Sequence, residues 1–220
     1  MIIGADGAFS AVREAMEKKG LTKGTIDALE HGYKELRIPS SESGSFQLQK
    51  NALHIWPRES FMLIALPNPN ASFTCTLLLP FEGEQSFKNL KRPENIVKFF
   101  QSYFPDTVPL MDTLREDFKG NPTCSLVTVH CYPWAKNNIL LIGDAAHGIV
   151  PFYGQGMNAG FEDCFEFNGL LDKHQDDWMA AVSEFQKVRK PDNDAIAQLA
   201  LDKFVEMRDL VADDDFLLRK

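Results

Sequence analysis

Several features that define common classes of protein are absent from this sequence. The 220 residues contain no run of about 18 or more apolar residues, so no membrane-spanning segment is predicted. The first ten residues, MIIGADGAFS, lack the basic segment and long apolar stretch of a secretion signal. The net charge of −8 argues against a basic, nucleic-acid-binding surface. These absences together predict a cytosolic protein that binds neither a membrane nor a nucleic acid.

Paired cysteines are also absent. Cys75, Cys124, Cys131 and Cys164 lie far apart, and no two of them form a C-x-x-C pair. Zinc sites and redox motifs usually contain such pairs, so neither is predicted and reduced thiols are expected. What the chain does contain is enough apolar material for a packed core, because 44% of its residues are hydrophobic.

The order of the predicted elements indicates a mixed fold in which one unit is inserted into another. An apolar strand at the start runs into a turn at Asp6 and Gly7, and a helix is predicted from Ala8 to Lys19. Five β-rich runs follow, broken by proline and glycine turns: GYKELRI, GSFQLQ, ALHIW, FMLIAL and SFTCTLLL. They predict an antiparallel sheet of about five strands.

The second half of the chain returns to alternating strands and helices. A helix is predicted from Glu94 to Tyr103, CSLVTVHCY reads as another strand, and a strand, loop and helix follow residue 138. Two further helices are predicted over 175–189 and 192–211, separated by Pro191 because proline disfavours helix at the preceding residue. The predicted class is α/β with an inserted antiparallel sheet (α+β), with domains at 1–30 plus 123–190, at 31–122, and a C-terminal helix at 191–220.

The segment from residue 139 to 164 contains the pattern with the clearest chemical meaning. A buried strand, ILLI, ends at Gly143 and Asp144, at the sheet edge where open α/β folds bind ligands, and this carboxylate could accept hydrogen bonds from sugar or ribitol hydroxyls. Gly154, Gly156 and Gly160 then surround a predicted helix start, whose free N–H groups favour an electron-rich ligand atom. From spacing alone, an ordinary strand–loop–helix connection explains these glycines equally well.

Two motifs extend this interpretation by resemblance. GDAAHGIVPFYGQGMNAGFEDC resembles the second flavin motif of the class A flavoprotein monooxygenases, and DGAFSAVR at residues 6–13 resembles their D-G-x-x-S-x-x-R motif. LHIWPR, FMLIALPN, SFTCTLLLPF and RKPDNDAIAQLALDKFVEMRD are similar to the kynurenine 3-monooxygenase family within that group. The resemblance implies a partial FAD-binding fold of the hydroxybenzoate-hydroxylase type, with residues 31–122 as the substrate domain.

The resemblance also implies an activity. Members hydroxylate L-kynurenine to 3-hydroxykynurenine, in tryptophan catabolism and NAD biosynthesis, with FAD, NADPH and O2 and through a flavin C4a-hydroperoxide. The cofactor carries the difficult chemistry, so no acid–base residue is predicted to be catalytic. Bacterial members, which the end of the chain resembles, are cytoplasmic, whereas full-length eukaryotic relatives are anchored in the mitochondrial outer membrane.

Individual residues are assigned cofactor roles by their match to the motifs. Asp144 is expected to bind the FAD ribityl chain, and the backbone of Gly156, Met157 and Asn158 to face the pyrimidine end of the flavin. The first motif is expected to help hold FAD and to mediate NADPH engagement, although its arginine could equally be a surface helix residue. The full set of implied cofactor-binding residues is Asp6, Arg13, Gly143, Asp144, Pro151, Gly156, Met157 and Asn158.

The implied substrate pocket combines residues of the sheet with residues of the loop. The sheet residues are Leu53, Met62, Ile64, Leu66, Thr76 and Leu78, and the loop residues are Pro151, Phe152 and Gln155. Alternation places the strand residues on shared faces, as a pocket wall requires, but core packing would produce the same alternation. His54 and His147 are interpreted as structural residues rather than acid–base groups.

Four departures from the family pattern limit what the resemblance implies. The N-terminal strand–G-x-G-x-x-G–helix unit that binds the ADP part of FAD and the C-terminal end of longer members are absent, as is the upstream arginine–tyrosine pair that grips the substrate carboxylate. Lys203 stands where the family usually has an asparagine near the polar end of the substrate. We therefore expect a fragment that is inactive and marginally stable alone; the alternatives are a hydroxylase of another aromatic acid, a non-catalytic remnant, or a chain that works with a separate N-terminal half.

Overall fold

The computed structural model describes residues 1–207, and the chain divides into two compact units. The first unit consists of residues 1–28 and 127–204, and the second of residues 29–126 with residues 205–207 of the described part. Strands β2 (Lys23–Ile38) and β6 (Thr123–Tyr132) each run from one unit into the other. One unit is therefore inserted into the sequence of the other, and the predicted fold class is confirmed.

The first unit is built on a small sheet of three strands. Strand β1 (Ile2–Gly4) pairs in parallel with β8 (Ile139–Leu141), which pairs on its other side with the antiparallel β7 (Ala135–Lys136). The helices of this unit are α1 (Ala11–Lys18), α4 (Asp144–His147), α5 (Gly156–Lys173) and α6 (Trp178–Val205). Its core contains Trp134, Leu140, Leu141, Phe167 and Phe185.

The second unit is an antiparallel sheet covered on one face by helices. In the five-stranded sheet the strand order is β3-β4-β5-β2-β6, with β3 (His54–Arg58), β4 (Phe61–Pro67) and β5 (Phe73–Pro80). The two α-helices are α2 (Pro93–Tyr103), which matches the predicted helix, and α3 (Leu114–Gly120). Its core cluster includes Leu63, Phe73, Leu77, Phe100 and Phe104.

The number of strands was predicted correctly, but one of them is different. GSFQLQ does not form a strand; Phe46 and Leu48 pack against the core cluster from a loop, and Gln47 donates a 2.8 Å hydrogen bond to the Pro39 carbonyl. Alternating apolar residues therefore pack without a strand partner. The fifth strand is β6. Strand β2 begins at Lys23 rather than at Gly32, and the prediction missed its first nine residues, which are mostly exposed.

The prediction of two helices separated by Pro191 is wrong, because α6 continues through the proline. Proline removes one helical hydrogen bond, at a cost of about 3 kcal/mol. Here buried residues on both sides hold the helix together, among them Phe185 before the proline and Ala200 after it. The Asn193 side chain also donates a 3.0 Å hydrogen bond to the Arg189 carbonyl. The predicted end of the second helix, at Val211, lies outside the described residues.

Three further observations concern the chain as a whole. None of the helices within residues 1–207 is long and apolar enough to cross a membrane. All four cysteines are free thiols. In the same described part of the chain, no group of three or more His, Cys, Asp or Glu side chains is arranged to hold a metal ion.

Candidate functional site

The two sequence motifs come together at the carboxyl ends of β1 and β8. These strands pair in parallel with Gly4 opposite Leu141, so the segments that follow them leave the same edge of the sheet. The first motif continues into the turn at Gly7 and helix α1, and the second into the turn at Gly143 and helix α4. The fold thus brings together segments more than 130 residues apart at an edge where α/β sheets bind ligands.

Arg13 connects the two motifs directly. Its Nη1 atom donates a hydrogen bond of 2.8 Å to the carbonyl of Ala145, and its Nη2 atom donates one to the carbonyl of Ala8. The side chain is buried, so the alternative reading of Arg13 as a surface helix residue is wrong. The guanidinium suits this position because it presents several fixed donors at once.

Asp6 organises the start of helix α1. Its carboxylate accepts hydrogen bonds from the Ser10 hydroxyl and from the N–H groups of Ala11 and Val12, at 2.8 and 3.2 Å. Ser10 in turn caps the helix by accepting a bond from the Arg13 N–H, which explains why the helix begins later than Ala8. The Ser10 hydroxyl, more than the backbone donors, holds the pKa of Asp6 below its ordinary value, while burial acts in the opposite direction.

The Gly143–Asp144 turn has a backbone conformation that favours glycine. Gly143 precedes helix α4 with φ 58° and ψ −145°, a combination that residues with a side chain seldom adopt. A β-carbon placed on Gly160 would lie 3.8 Å from the α-carbon of Gly143, so helix α5 passes close to this turn. Asp144, the first residue of α4, is exposed to solvent.

Helix α5 begins where the glycine pattern placed it. Gly154, with φ 67°, closes a short turn, and α5 starts at Gly156 without a side-chain cap. The N–H groups of a first helical turn have no partner inside the helix and favour electron-rich atoms. Met157 and Asn158 lie in this turn, both exposed, and the Asn158 amide donates a 2.9 Å hydrogen bond to Gln155 Oε1.

A buried polar network beneath these turns was not predicted from the sequence. Asp163 of α5 is fully buried; its Oδ2 atom accepts the Gly143 N–H at 2.9 Å and lies 2.5 Å from His147 Nε2. Its Oδ1 atom accepts Arg189 Nε at 3.0 Å. Burial acts to raise the pKa of Asp163, but the bonds from His147, Gly143 and Arg189 and the charge of His147 together hold it below its ordinary value. The structural interpretation of His147 agrees with this position.

The loop residues assigned to the substrate lie before α5. Pro151 and Phe152 belong to a 3-10 turn, and the Phe152 ring stacks on the ring of Phe204 with centroids 4.6 Å apart. Lys203 precedes Phe204 in helix α6, so the fold brings Phe152 next to the helical turn that carries Lys203. Gln155 is half-buried.

Five of the six residues assigned to the substrate from the sheet share one face of the second unit, whereas Leu53 lies just before β3 and outside the sheet. The register pairs Met62 with Leu78 and Ile64 with Thr76, whereas the residues between them, such as Leu63 and Leu77, belong to the core cluster. Met62 and Leu78 are buried, Ile64 and Thr76 are half-buried, and Leu66 and Leu53 are exposed. The shared face is thus observed, and its role as a substrate wall stays a prediction. The Nε2 atom of His54 lies 2.9 Å from the Gln49 carbonyl, and the interpretation of His54 as a structural residue stays a prediction.

Residues 1–174 match the family described as FAD binding domain. The chain belongs to this family. The matched residues include both motif loops, the contact between Arg13 and Ala145, and all of helix α5.

Curated relatives cover the whole chain and carry one name. The chain is 51% identical to kynurenine 3-monooxygenase of Flavobacterium psychrophilum, over 100% of this chain and 49% of that protein. It is 51% identical to the enzyme of Myxococcus xanthus, over 100% and 47%, and 50% identical to that of Dictyostelium discoideum, over 100% and 50%. The chain therefore spans about half the length of the curated relatives it matches.

Solved structures share the fold at low identity. The tetrameric form of 2-methyl-3-hydroxypyridine-5-carboxylic acid oxygenase superposes with a TM-score of 0.75 at 19% identity, covering 94% of this chain and 54% of that one. Klebsiella pneumoniae HpxO complexed with FAD and uric acid superposes with a TM-score of 0.70 at 16% identity, covering 100% and 54%. These similarities confirm the flavin-hydroxylase type of fold.

The donor set at the motif loops is compatible with FAD. It offers an exposed carboxylate at Asp144 for hydroxyl groups and an uncapped helix start at Gly156 for electron-rich ring atoms. A β-carbon added at Gly7 or Gly154 would meet no atom within 4 Å, so open space adjoins both loops. Asp6 and Arg13 are already bonded within the chain, which suits them to shape the loops.

Proposed function

We propose that this chain forms the flavin-ring and substrate part of an FAD- and NADPH-dependent aromatic hydroxylase that converts L-kynurenine to 3-hydroxykynurenine. The observation that carries the proposal is the meeting of the two motifs at one sheet edge, joined by the bond from Arg13 to Ala145. The relatives' shared name supports kynurenine as the substrate. A cytoplasmic location, which the resemblance to bacterial members implies, is part of this proposal.

The cofactor would be held by one carboxylate and three backbone N–H groups of this chain. Asp144 would accept hydrogen bonds from the ribityl hydroxyls, and the N–H groups of Gly156, Met157 and Asn158 would face the pyrimidine end of the ring. Negative charge at that end would be stabilised by the positive end of the α5 dipole. Gly143 and Pro151 would shape the backbone around it, and Asp6 and Arg13 would keep both loops in place.

FAD held by these residues would supply the redox chemistry, using the electrons of NADPH and one molecule of O2 to place one oxygen atom in the aromatic ring while the other leaves as water. The protein contributes position and exclusion of water. Neither function requires an acid–base residue, and the buried His147 is bonded to Asp163 instead.

The sheet face of the second unit would contribute the apolar wall for the aromatic ring. Met62, Ile64 and Leu66 supply flexible and branched side chains along β4, and Thr76 and Leu78 continue the face on β5. Leu53 would extend the wall before β3. In the first unit, Pro151, Phe152, Gln155 and Lys203 would contact the substrate from the loop and from α6.

A second candidate substrate is favoured by one residue. Lys203 carries a positive charge where the family usually has asparagine, and a long ammonium side chain would accommodate a carboxylate placed differently from that of kynurenine. The second candidate is therefore hydroxylation of another aromatic acid. A panel of aromatic acids, with Lys203→Asn as the comparison, would separate the two.

The test uses the purified chain, alone and with the unmatched part of the Flavobacterium psychrophilum relative supplied as a second polypeptide. We expect FAD binding, and in the supplemented sample NADPH oxidation that rises with kynurenine and yields 3-hydroxykynurenine by mass spectrometry. The control is Asp144→Asn, which should weaken FAD binding. NADPH oxidation that does not respond to kynurenine would contradict the substrate, and absence of FAD binding would contradict the function as a whole.

A further inference from the structure

The buried carboxylate of Asp163 touches both parts of the second motif. Through Oδ2 it accepts the N–H of Gly143, in the turn before Asp144, and contacts His147 at the end of α4. Through Oδ1 it accepts Arg189 Nε. The same guanidinium reaches the first turn of α5, because its Nη2 atom donates a 3.3 Å hydrogen bond to the Ala159 carbonyl.

We infer that Asp163 and Arg189 form a positioning pair that fixes the Gly143–Asp144 turn relative to the start of helix α5. The inference rests on the proposed function, since those two segments are the ones assigned to FAD. Neither residue is expected to touch the cofactor. They act through Gly143 and Ala159, whose backbone positions decide where Asp144 and the first N–H groups of α5 lie.

The chemistry of the pair explains why a carboxylate and a guanidinium are needed. The carboxylate of Asp163 accepts hydrogen bonds from three donors, on Gly143, His147 and Arg189. Because an ionised carboxylate has no N–H group, none of its own atoms needs an acceptor. Arg189 is itself buried, and its Nη1 atom pairs with Glu162 at 2.8 Å while Nε pairs with Asp163. A buried charge of this kind is stable only while its partner is present.

The surroundings of Arg189 hold it in this orientation. It lies in the turn of α6 that precedes Pro191, and its own carbonyl accepts the Asn193 amide at 3.0 Å. Asn193 is buried as well. Because Asn193 lies beyond Pro191, this bond requires that α6 continues through the proline, so the continuity of the helix is part of the arrangement.

Asp163→Asn is the most informative substitution because it keeps the shape and removes the charge. One of its two acceptor atoms becomes an N–H group, which must then face a donor at Gly143 or at Arg189. Arg189→Lys is the second variant; it keeps the positive charge but has too few fixed donors to reach Asp163, Glu162 and Ala159 together. The matched control is Asp172→Asn, which removes a carboxylate from an exposed position on the same helix.

The first measurement is hydrogen–deuterium exchange on the full chain without cofactor. We expect Asp163→Asn and Arg189→Lys to accelerate exchange about tenfold or more in segments 143–147 and 156–160, with residues 61–80 and the Asp172→Asn control unchanged. Unchanged exchange in those two segments would overturn the inference. Acceleration spread evenly over both units would also overturn it, because it would show only a general loss of stability.

The second measurement is FAD affinity, followed by quenching of flavin fluorescence. We expect the apparent Kd to rise about tenfold or more in Asp163→Asn and Arg189→Lys and to change less than about twofold in Asp172→Asn. Equal affinities in all proteins would overturn the inference while leaving the proposed function intact. If the unmodified chain failed to bind FAD, the proposed function would fall, and the exchange result alone would then decide whether the pair fixes the two segments.

Discussion

Arg13 donates a hydrogen bond to the backbone carbonyl of Ala145, 132 residues further along the chain. A second bond from the same side chain reaches the Ala8 carbonyl. One guanidinium therefore satisfies two carbonyls that belong to different motifs, and the two turns are connected through a side chain as well as through the pairing of β1 with β8.

The first prediction concerns this connection. Arg13→Lys should lower the free energy of unfolding by about 1 to 3 kcal/mol, because a single Nζ atom cannot occupy the positions of both Nη1 and Nη2, so one buried carbonyl would lose its donor. Urea unfolding followed by circular dichroism measures the change. Arg115→Lys, at an exposed position of α3, is the control and should shift the value by less than about 0.5 kcal/mol. Equal stability of both variants would show that the Arg13 bonds contribute nothing.

The second prediction separates two glycines that lie close together. Gly143→Ala should destabilise the protein by about 1 to 3 kcal/mol, since its φ of 58° with ψ of −145° is accessible almost only to glycine. Gly160→Ala should be neutral or stabilising by about 0.5 to 1 kcal/mol, because the new methyl group makes an ordinary contact at 3.8 Å inside a helix. Thermal unfolding of the two variants side by side measures the difference. If Gly160→Ala were the less stable variant, the close approach of the two backbones, rather than the backbone angles of Gly143, would determine the effect on stability.

The third prediction concerns the reactivity of the cysteines. Burial raises the pKa of Cys75 to about 12 and that of Cys131 to about 11, whereas Cys164 is exposed on α5. Because the thiolate is the reactive form, iodoacetamide at about pH 8 should label Cys164 first and leave Cys75 and Cys131 unmodified. Peptide mass spectrometry identifies the labelled sites, with urea-unfolded protein as the control in which all four react. Early labelling of Cys131 in folded protein would contradict its burial beside the Ala146 carbonyl.

The fourth prediction follows from the lowered pKa of Asp163. A carboxyl group with a lower pKa in the folded protein stabilises it above the unfolded value, about 3.9, and the contribution is lost as pH falls through the folded pKa. At pH 7, Asp163→Asn should cost about 3 to 5 kcal/mol, because Arg189 loses its buried partner. Urea unfolding at several pH values should show this difference shrinking below about pH 3.9. A difference that stays constant down to pH 2.5 would contradict the lowered pKa of Asp163, because it would mean that this carboxyl binds protons equally in the folded and unfolded protein.

The fifth prediction concerns the proline within α6. Pro191→Ala should raise the free energy of unfolding by about 1 to 3 kcal/mol, because an N–H at this position could donate to the carbonyl of Lys187. Chemical unfolding measures the gain. If Pro191→Ala were instead less stable, the proline would contribute more to stability, through the orientation of Arg189, than the restored helical hydrogen bond does.

Local sequence patterns were sufficient to predict those elements whose conformation depends mainly on neighbouring residues in the sequence. The glycines around residue 156 predicted the start of α5, and the alternation in FMLIAL and TCTLLL predicted a face that the register of β4 and β5 confirms. The motif residues also identified two loops at the carboxyl ends of strands, where open α/β sheets bind ligands.

Other features depended on contacts that no local pattern contains. Phe46 and Leu48 alternate like strand residues but pack from a loop, and Pro191 breaks a helix only where tertiary contacts are weak. Asp163, Arg189 and Asn193 lie on separate turns of two helices, so their network appears only when those helices pack. The sequence contained one signal of this network. Asp163 lies four residues from both Ala159 and Phe167, on the buried face of α5, where an acidic residue needs a partner.

The pairing of β1 with β8 also determines the order in which the chain can fold during synthesis. The inserted residues 29–126 leave the ribosome before β8 does, so the antiparallel sheet can begin to form early, while β1 must wait for its partner. At about 5 to 20 residues per second, that wait lasts on the order of ten seconds or more. For this interval the apolar segment Ile2–Gly4 has no β8 to pair with, so its backbone donors and acceptors stay open to other segments until residues 139–141 have been made.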